Sequence, residues 1–132
     1  ERDMELQDYF ENTRGTGILA TANAQGVVNT AIYARPHVLR KGEVAFIMAD
    51  RLTRKNLGEN PSASYLFIAE GDGYRGTRLQ LTRVREEQDR ELIENLRRRL
   101  YSPEDENKIG ELSLVHFRLD EERPLLGSGP QR

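Results

Sequence analysis

Residues 50–61, D-R-L-T-R-K-N-L-G-E-N-P, gather three cations and a hydroxyl (Arg51, Thr53, Arg54, Lys55) behind an apolar run, at the expected start of a short helix. A helix N-terminus carries unpaired N–H groups and a partial positive charge, so an anion is favoured there before any side chain contributes. Thr53 is a suitable N-cap, and Arg51, Arg54 and Lys55 offer forked or point-charge donors to a phosphate dianion. Basic residues beside helix starts are common, so the competing reading is a capping threonine among solvated cations. The rest of the chain must decide between the two.

The elements that would position this segment are mostly strands. Met4, Leu6, Tyr9 and Phe10 form an apolar stripe at helical spacing within residues 3–12, and Gly15 and Gly17 punctuate its end. G-I-L-A-T-A-N from Gly17, a turn at Ala24-Gln25-Gly26 and V-V-N-T-A-I-Y from Val27 read as a hairpin. In its second strand Val28, Thr30 and Ile32 share one face, and Asn29, Ala31 and Tyr33 the other. Pro36 marks an edge or handover, His37-Val38-Leu39 resumes as strand, and V-A-F-I-M-A from Val44 suits a strand covered on both faces. Beyond the cationic helix, which Asn60-Pro61 closes, come S-Y-L-F-I-A from Ser64, the loop E-G-D-G-Y-R-G, and T-R-L-Q-L-T-R-V from Thr77.

Residues 86–100 change period. Leu92, Ile93, Leu96 and Leu100 make one helical face, while Glu86 with Arg90 and Glu94 with Arg98 stand at i,i+4 spacing. Arg97 to Arg99 read as charge at the C-terminal end of this helix, agreeing with the macrodipole. S-P-E-D-E-N-K-I-G reads as a solvated loop, and E-L-S-L-V-H-F-R-L from Glu111 as the closing strand. The expected architecture is mainly β with few α: a six-stranded antiparallel split barrel with short helices, one domain over residues 1–119 and a C-terminal tail over 120–132.

Composition narrows the chemistry. The 132 residues, 36% apolar and 32% charged, fit one soluble domain, and a net charge of −2 lacks the basic field of non-specific nucleic-acid binding. With no cysteine, thiol chemistry and thiolate metal sites are excluded, and His37 and His116 stand far apart without ligand spacing, so no metal site is expected. Redox chemistry would need a bound cofactor. No apolar run is long enough to span a membrane and the first residues are too acidic for a secretory signal, so a cytoplasmic chain is expected. So small a barrel buries little, which makes dimerisation a way to cover apolar surface.

The segments L-A-T-A-N-A-Q-G-V-V-N-T, G-E-V-A-F-I-M-A and T-R-K-N-L-G-E-N-P-S-A-S-Y-L-F-I carry a resemblance. Between about Gly15 and Val84 the chain resembles the pyridoxamine 5′-phosphate oxidase-like FMN-binding split-barrel family, particularly its small bacterial FMN-binding proteins. The resemblance implies a homodimer with FMN in clefts between subunits. It would set Asn29, Thr30, Ala31, Ile32 and Tyr33 along the isoalloxazine and ribityl chain, and Phe46 and Ile47 against the ring or ribityl region. Arg51 and Thr53, supported by Arg54 or Lys55, would hold the phosphate, and Arg75, Thr77 or Arg78 would reach across from the other subunit. Leu52 and Thr53 occupy positions where the family's oxidases carry an Arg-Lys pair, and the oxidases' longer C-terminal basic motif has no counterpart. The implied function is therefore an FMN flavoprotein, an oxidoreductase or electron carrier, rather than a vitamin B6 oxidase. The alternatives are a non-catalytic flavin- or haem-binding regulatory module on the same barrel, or a deazaflavin-dependent reductase. No catalytic side chain is required; His37 is the titratable group to watch as a proton donor, and a surface imidazole is its plainer reading.

Overall fold

The computed structural model describes residues 2–100 and 112–127, with side chains over 5–97 and 112–127. Its elements are α1 (Arg2–Asn12), β1 (Gly15–Ala22), β2 (Val28–Ile32), β3 (His37–Arg40), β4 (Glu43–Met48), α2 (Leu52–Glu59), β5 (Ser62–Ala69), β6 (Gly76–Glu87), α3 (Arg90–Leu100) and β7 (Ser113–Pro124). The strands pair antiparallel in one sheet, in the order β2-β1-β5-β6-β7-β4-β3. Seven strands stand where six were expected, and the short β3, read as strand at His37-Val38-Leu39, pairs with β4. β2 and β3, consecutive in the chain, end up at opposite edges of the sheet. The barrel is therefore split along the β2–β3 seam.

Strand periodicity builds the interior. Leu19 of β1, Tyr65 and Phe67 of β5, Leu79 and Leu81 of β6 and Phe117 of β7 turn inward and are fully buried. Phe10 of α1 covers this cluster, with its ring 5.4 Å from that of Phe67 in an edge-on contact. β4 is covered on both faces, as its continuous apolar run demanded. Val44, Phe46 and Met48 point into the main core, whereas Ala45 and Ile47 join Ile93, Leu96 and Leu114 in a second cluster beneath α3.

Two expected boundaries move. The change of period expected at residue 86 comes later, since β6 runs to Glu87 and α3 begins at Arg90. Asp89 starts that helix: its carboxylate accepts the Leu92 amide at 3.1 Å and its carbonyl the Ile93 amide at 2.9 Å. Glu86, meanwhile, pairs in register with Val115 of β7. The second boundary is at Asp120, where a tail was expected and β7 instead continues to Pro124 along β6. Its charged side chains find partners on the polar side of the ladder, where Thr82 donates to Asp120 and Arg118 and Arg123 bond to Asp120 and Glu121. The loop expected at 102–110 and the last tail residues, 128–132, lie outside the described residues.

Candidate functional site

A cavity of about 640 Å³ opens where β2, the end of β4, the start of α2 and the later turns of α3 converge. That volume falls within the range of small-molecule sites. One wall is β2 and its exit, Asn29 to Ala34; Ile47 stands in β4 and Ala49 just beyond it, Arg51, Leu52 and Thr53 open α2, and Arg97 and Leu112 complete the lining.

α2 is fixed by core packing and by bonds to two neighbouring strands and a turn. Leu57 drops into the main core, the Asn56 amide donates to Thr21 Oγ1 at 3.1 Å, and the Glu59 carboxylate accepts the Ala24 amide at 3.0 Å. Arg54 Nε donates to Glu86 Oε2 at 2.8 Å, tying the helix to the end of β6. The helix cap is Arg51, in an extended conformation and without a side-chain cap bond, whereas Thr53 was expected to cap. Thr53 lies two positions further in, because the chain turns tightly at Ala49, whose carbonyl accepts the Arg51 amide at 2.9 Å. The first intrahelical bond runs from Lys55 N–H to the Arg51 carbonyl. The amides of Leu52, Thr53 and Arg54 thus have no intrahelical acceptor and face the N-terminal end.

Thr53 is buried against the cavity, and its hydroxyl is hydrogen-bonded to that of Tyr33. Burial pushes the Tyr33 phenol above its ordinary range, outweighing the opposite pull of this bond and of the Arg51 charge, so the hydroxyl stays protonated at neutral pH. Tyr33 is itself held at the exit of β2. Its N–H donates to the Gly17 carbonyl at 3.0 Å, and the Tyr65 hydroxyl donates to the carbonyls of Tyr33 and Ala34, each at 3.3 Å. Arg51 forms no ion pair among the described residues and is exposed at the rim.

The expected site residues divide into those the fold gathers and those it sends elsewhere. Asn29, Thr30, Ala31, Ile32, Tyr33, Ile47, Arg51 and Thr53 line the one cavity. Phe46 does not: it is 1% exposed in the main core, its ring 4.9 Å from that of Tyr65, because neighbouring strand positions face opposite ways. Arg54 is spent on Glu86 and Asp50, and Lys55 is exposed away from the lining. Within one chain Arg75, Thr77 and Arg78 are also remote from it. Arg75 is exposed in the loop before β6, Thr77 is buried with its hydroxyl 3.3 Å from Glu122, and Arg78 donates to the Pro124 carbonyl at 2.9 Å. His37 is buried beside α1, and His116 is buried in the sheet with Nε2 2.6 Å from Glu87 and Nδ1 3.2 Å from Arg85.

Ala34, Ala49, Leu52, Arg97 and Leu112 line the cavity without having been expected there. Arg97 is the residue of consequence. Read as helix-end charge, it is instead 6% exposed, and its Nη2 has no hydrogen-bond partner among the described residues. The signal was present in its spacing, since Arg97 stands four positions after Ile93 and next to Leu96, on the buried face of α3.

The Arg54–Glu86 pair makes one feature of the site acid-sensitive. Burial raises the Glu86 carboxyl, but hydrogen bonds from Arg54, Ser113 and Arg83, with the Arg54 charge, outweigh it and hold the group below its ordinary 4.5. A carboxylate depressed in the folded state stabilises the fold fully above the unfolded value, and that contribution is lost as pH falls through the folded one. Glu86→Gln should therefore lower Tm at about pH 7 and flatten the loss of Tm between about pH 5 and pH 3. Parallel Tm curves for the two proteins across that acid range would refute this.

An antiparallel sheet curled around one core, open along a single seam and carrying a cavity beside its edge strand, defines a split β-barrel. Neither a protein-family model nor a curated protein sequence matches the chain. Solved structures do. HupZ of Group A Streptococcus superposes with a TM-score of 0.72 at 15% identity, covering 98% of each chain. An FMN-binding protein of Syntrophomonas wolfei gives 0.72 at 16% identity, covering 97% of this chain and 91% of that one. A proposed pyridoxamine 5′-phosphate oxidase of Lactobacillus delbrueckii gives 0.61 at 14% identity and 89% of each chain. At these identities the likeness is one of fold, and the fold is the one the sequence segments implied.

Proposed function

We propose that this chain is an FMN-binding flavoprotein that exchanges electrons with a small substrate or redox partner. The observation that carries the reading is the convergence, in one cavity, of an unpaired helix start with Arg51 and Thr53, the β2 backbone from Asn29 to Tyr33, and an apolar patch of Ile47, Ala49 and Leu112. These meet the three demands of a flavin mononucleotide: an anion site, backbone donors and acceptors for a polar ring edge, and apolar cover for the ring. Arg51, Thr53 and the α2 amides would hold the phosphate; Tyr33 would hold Thr53 in place. When bound, FMN supplies the electron transfer, and the chain binds, orients and shields it.

The flavin cleft in this reading is closed by a second copy of the chain. What supports that is the edge strand beside the cavity, where Val28 and Ile32 are 75% and 72% exposed, together with exposed Leu52 at the rim. Apolar side chains on an open strand edge are a liability that pairing removes. Arg75, Thr77 and Arg78 would then have to approach from the partner.

Titration of purified protein with FMN, followed by flavin fluorescence with mass by scattering, tests both parts. Quenching that saturates at micromolar protein, in a particle of dimer mass, is expected; unquenched FMN would refute the cofactor and a monomer the cleft. The only titratable side chains among the described cavity residues are Tyr33, Arg51 and Arg97, with no acid–base pair. That favours, as the second reading, a module that stores or senses flavin. Bound FMN that NADH and NADPH leave oxidised would decide for it, and a parallel deazaflavin titration separates the longer cofactor.

A further inference from the structure

We propose that Arg97 forms a second anion subsite in this cavity, taking the carboxylate or phosphate of a small molecule bound beside the cofactor. Burying a guanidinium without a partner is costly, because the charge loses its water and receives nothing in exchange. Arg97 is 94% buried by difference from its 6% exposure, borders the cavity, and has an Nη2 without an acceptor among the described residues. An acceptor in the cavity would complete it, and a planar fork of donors matches an oxyanion.

Arg97 comes from a different element than the helix start assigned to the cofactor phosphate. Arg51 and Thr53 stand on α2, which is anchored to β1 through Asn56. Arg97 comes instead from α3, over the cluster of Ile47, Ile93, Leu96 and Leu114. Beside it, Ile47 and Leu112 give the cavity an apolar surface. The ligand class is therefore an amphipathic anion: an apolar or aromatic body with one oxyanion. The proposal rests on the flavin reading only for what fills the remainder of the cavity.

Benzoate and inorganic phosphate are the probes. They are titrated against the 132-residue chain, flavin-free by Tm and FMN-loaded by the flavin spectrum, in wild type, Arg97→Gln, Arg97→Lys and Arg97→Met. Saturable binding of at least one probe is expected, weakened about tenfold or more in Arg97→Gln and partly kept in Arg97→Lys. The preference for FMN over riboflavin should not change in Arg97→Gln. Without added anion, Arg97→Met should raise Tm by a few degrees, since it removes a buried charge whose Nη2 has no partner among the described residues.

Unsaturable binding in wild type, or equal anion affinity in Arg97→Gln, overturns the proposal. So does loss of the FMN preference in Arg97→Gln, which would make Arg97 a reader of the cofactor's own phosphate. A lower Tm in Arg97→Met overturns it as well, by revealing a structural bond. Failure of FMN to bind, with Arg97-dependent anion protection intact in the flavin-free chain, would sink the flavoprotein reading and support this one.

Discussion

Arg51→Gln is expected to weaken FMN by about thirtyfold while changing riboflavin affinity less than about threefold, as loss of one charge-assisted phosphate contact predicts. The contrast arises because riboflavin lacks the phosphate and so makes no use of the rim cation. Arg51 is well placed for such a contact, since it caps α2, forms no ion pair among the described residues, and faces the same cavity as the free amides. Lys55→Gln supplies the control, since Lys55 is two residues from Thr53 yet outside the lining. Arg54→Gln should cost stability through the lost Glu86 pair, with little change in FMN affinity. Equal losses for Arg51→Gln and Lys55→Gln, or an equal loss of riboflavin, would show that diffuse charge rather than a phosphate site attracts the ligand.

Gly17→Ala should be a strongly damaging single methyl, and one placed beside the site. A Cβ there would stand 1.9 Å from the Tyr65 hydroxyl and 2.7 Å from the Tyr33 carbonyl. The Tyr65 ring is fully buried, so it has no free path of retreat, and the second obstacle is backbone. Overpacking of this kind costs about 2–3 kcal/mol, or about 10 °C in Tm for a domain of this size. Yet the effect should reach beyond stability. The Tyr65 hydroxyl is bonded to the carbonyls of Tyr33 and Ala34, which border the cavity, so flavin affinity should fall even well below the new Tm. Tyr65→Phe removes the same bonds without the clash and should cost about 1 kcal/mol. If Gly17→Ala melts within about 2 °C of wild type, the close approach is not part of the folded protein.

Part of the site could be read from residue order. The cationic turn follows an apolar strand, so the start of α2 was legible from the residues, whereas the cavity wall from Asn29 to Tyr33 was implied by the family resemblance. Where signals ran out, there were physical reasons. V-A-F-I-M-A is apolar at every position, so it carries no parity, and nothing local says that Ile47 rather than Phe46 faces the cavity. Glu86 and Arg90 satisfy helical spacing while the ladder to Val115 claims Glu86. Asp120 to Pro124 look like a solvated tail, because a strand whose side chains pair across a polar face has little apolar signal to offer. Arg97 was obscured by its neighbours: three consecutive arginines suggest a dipole-compensating end, and only the i+4 relation to Ile93 separates the first from the others.

β2 borders the cavity while Val28, outside the lining, lies open at the sheet edge. Whatever zips onto that edge also stiffens the amides and carbonyls behind it. Loading and self-association would then be thermodynamically linked, each promoting the other by the same factor. Dilution alone should loosen the ligand, so apparent affinity would rise with protein concentration, and a charge placed at Val28 would weaken the ligand without touching it.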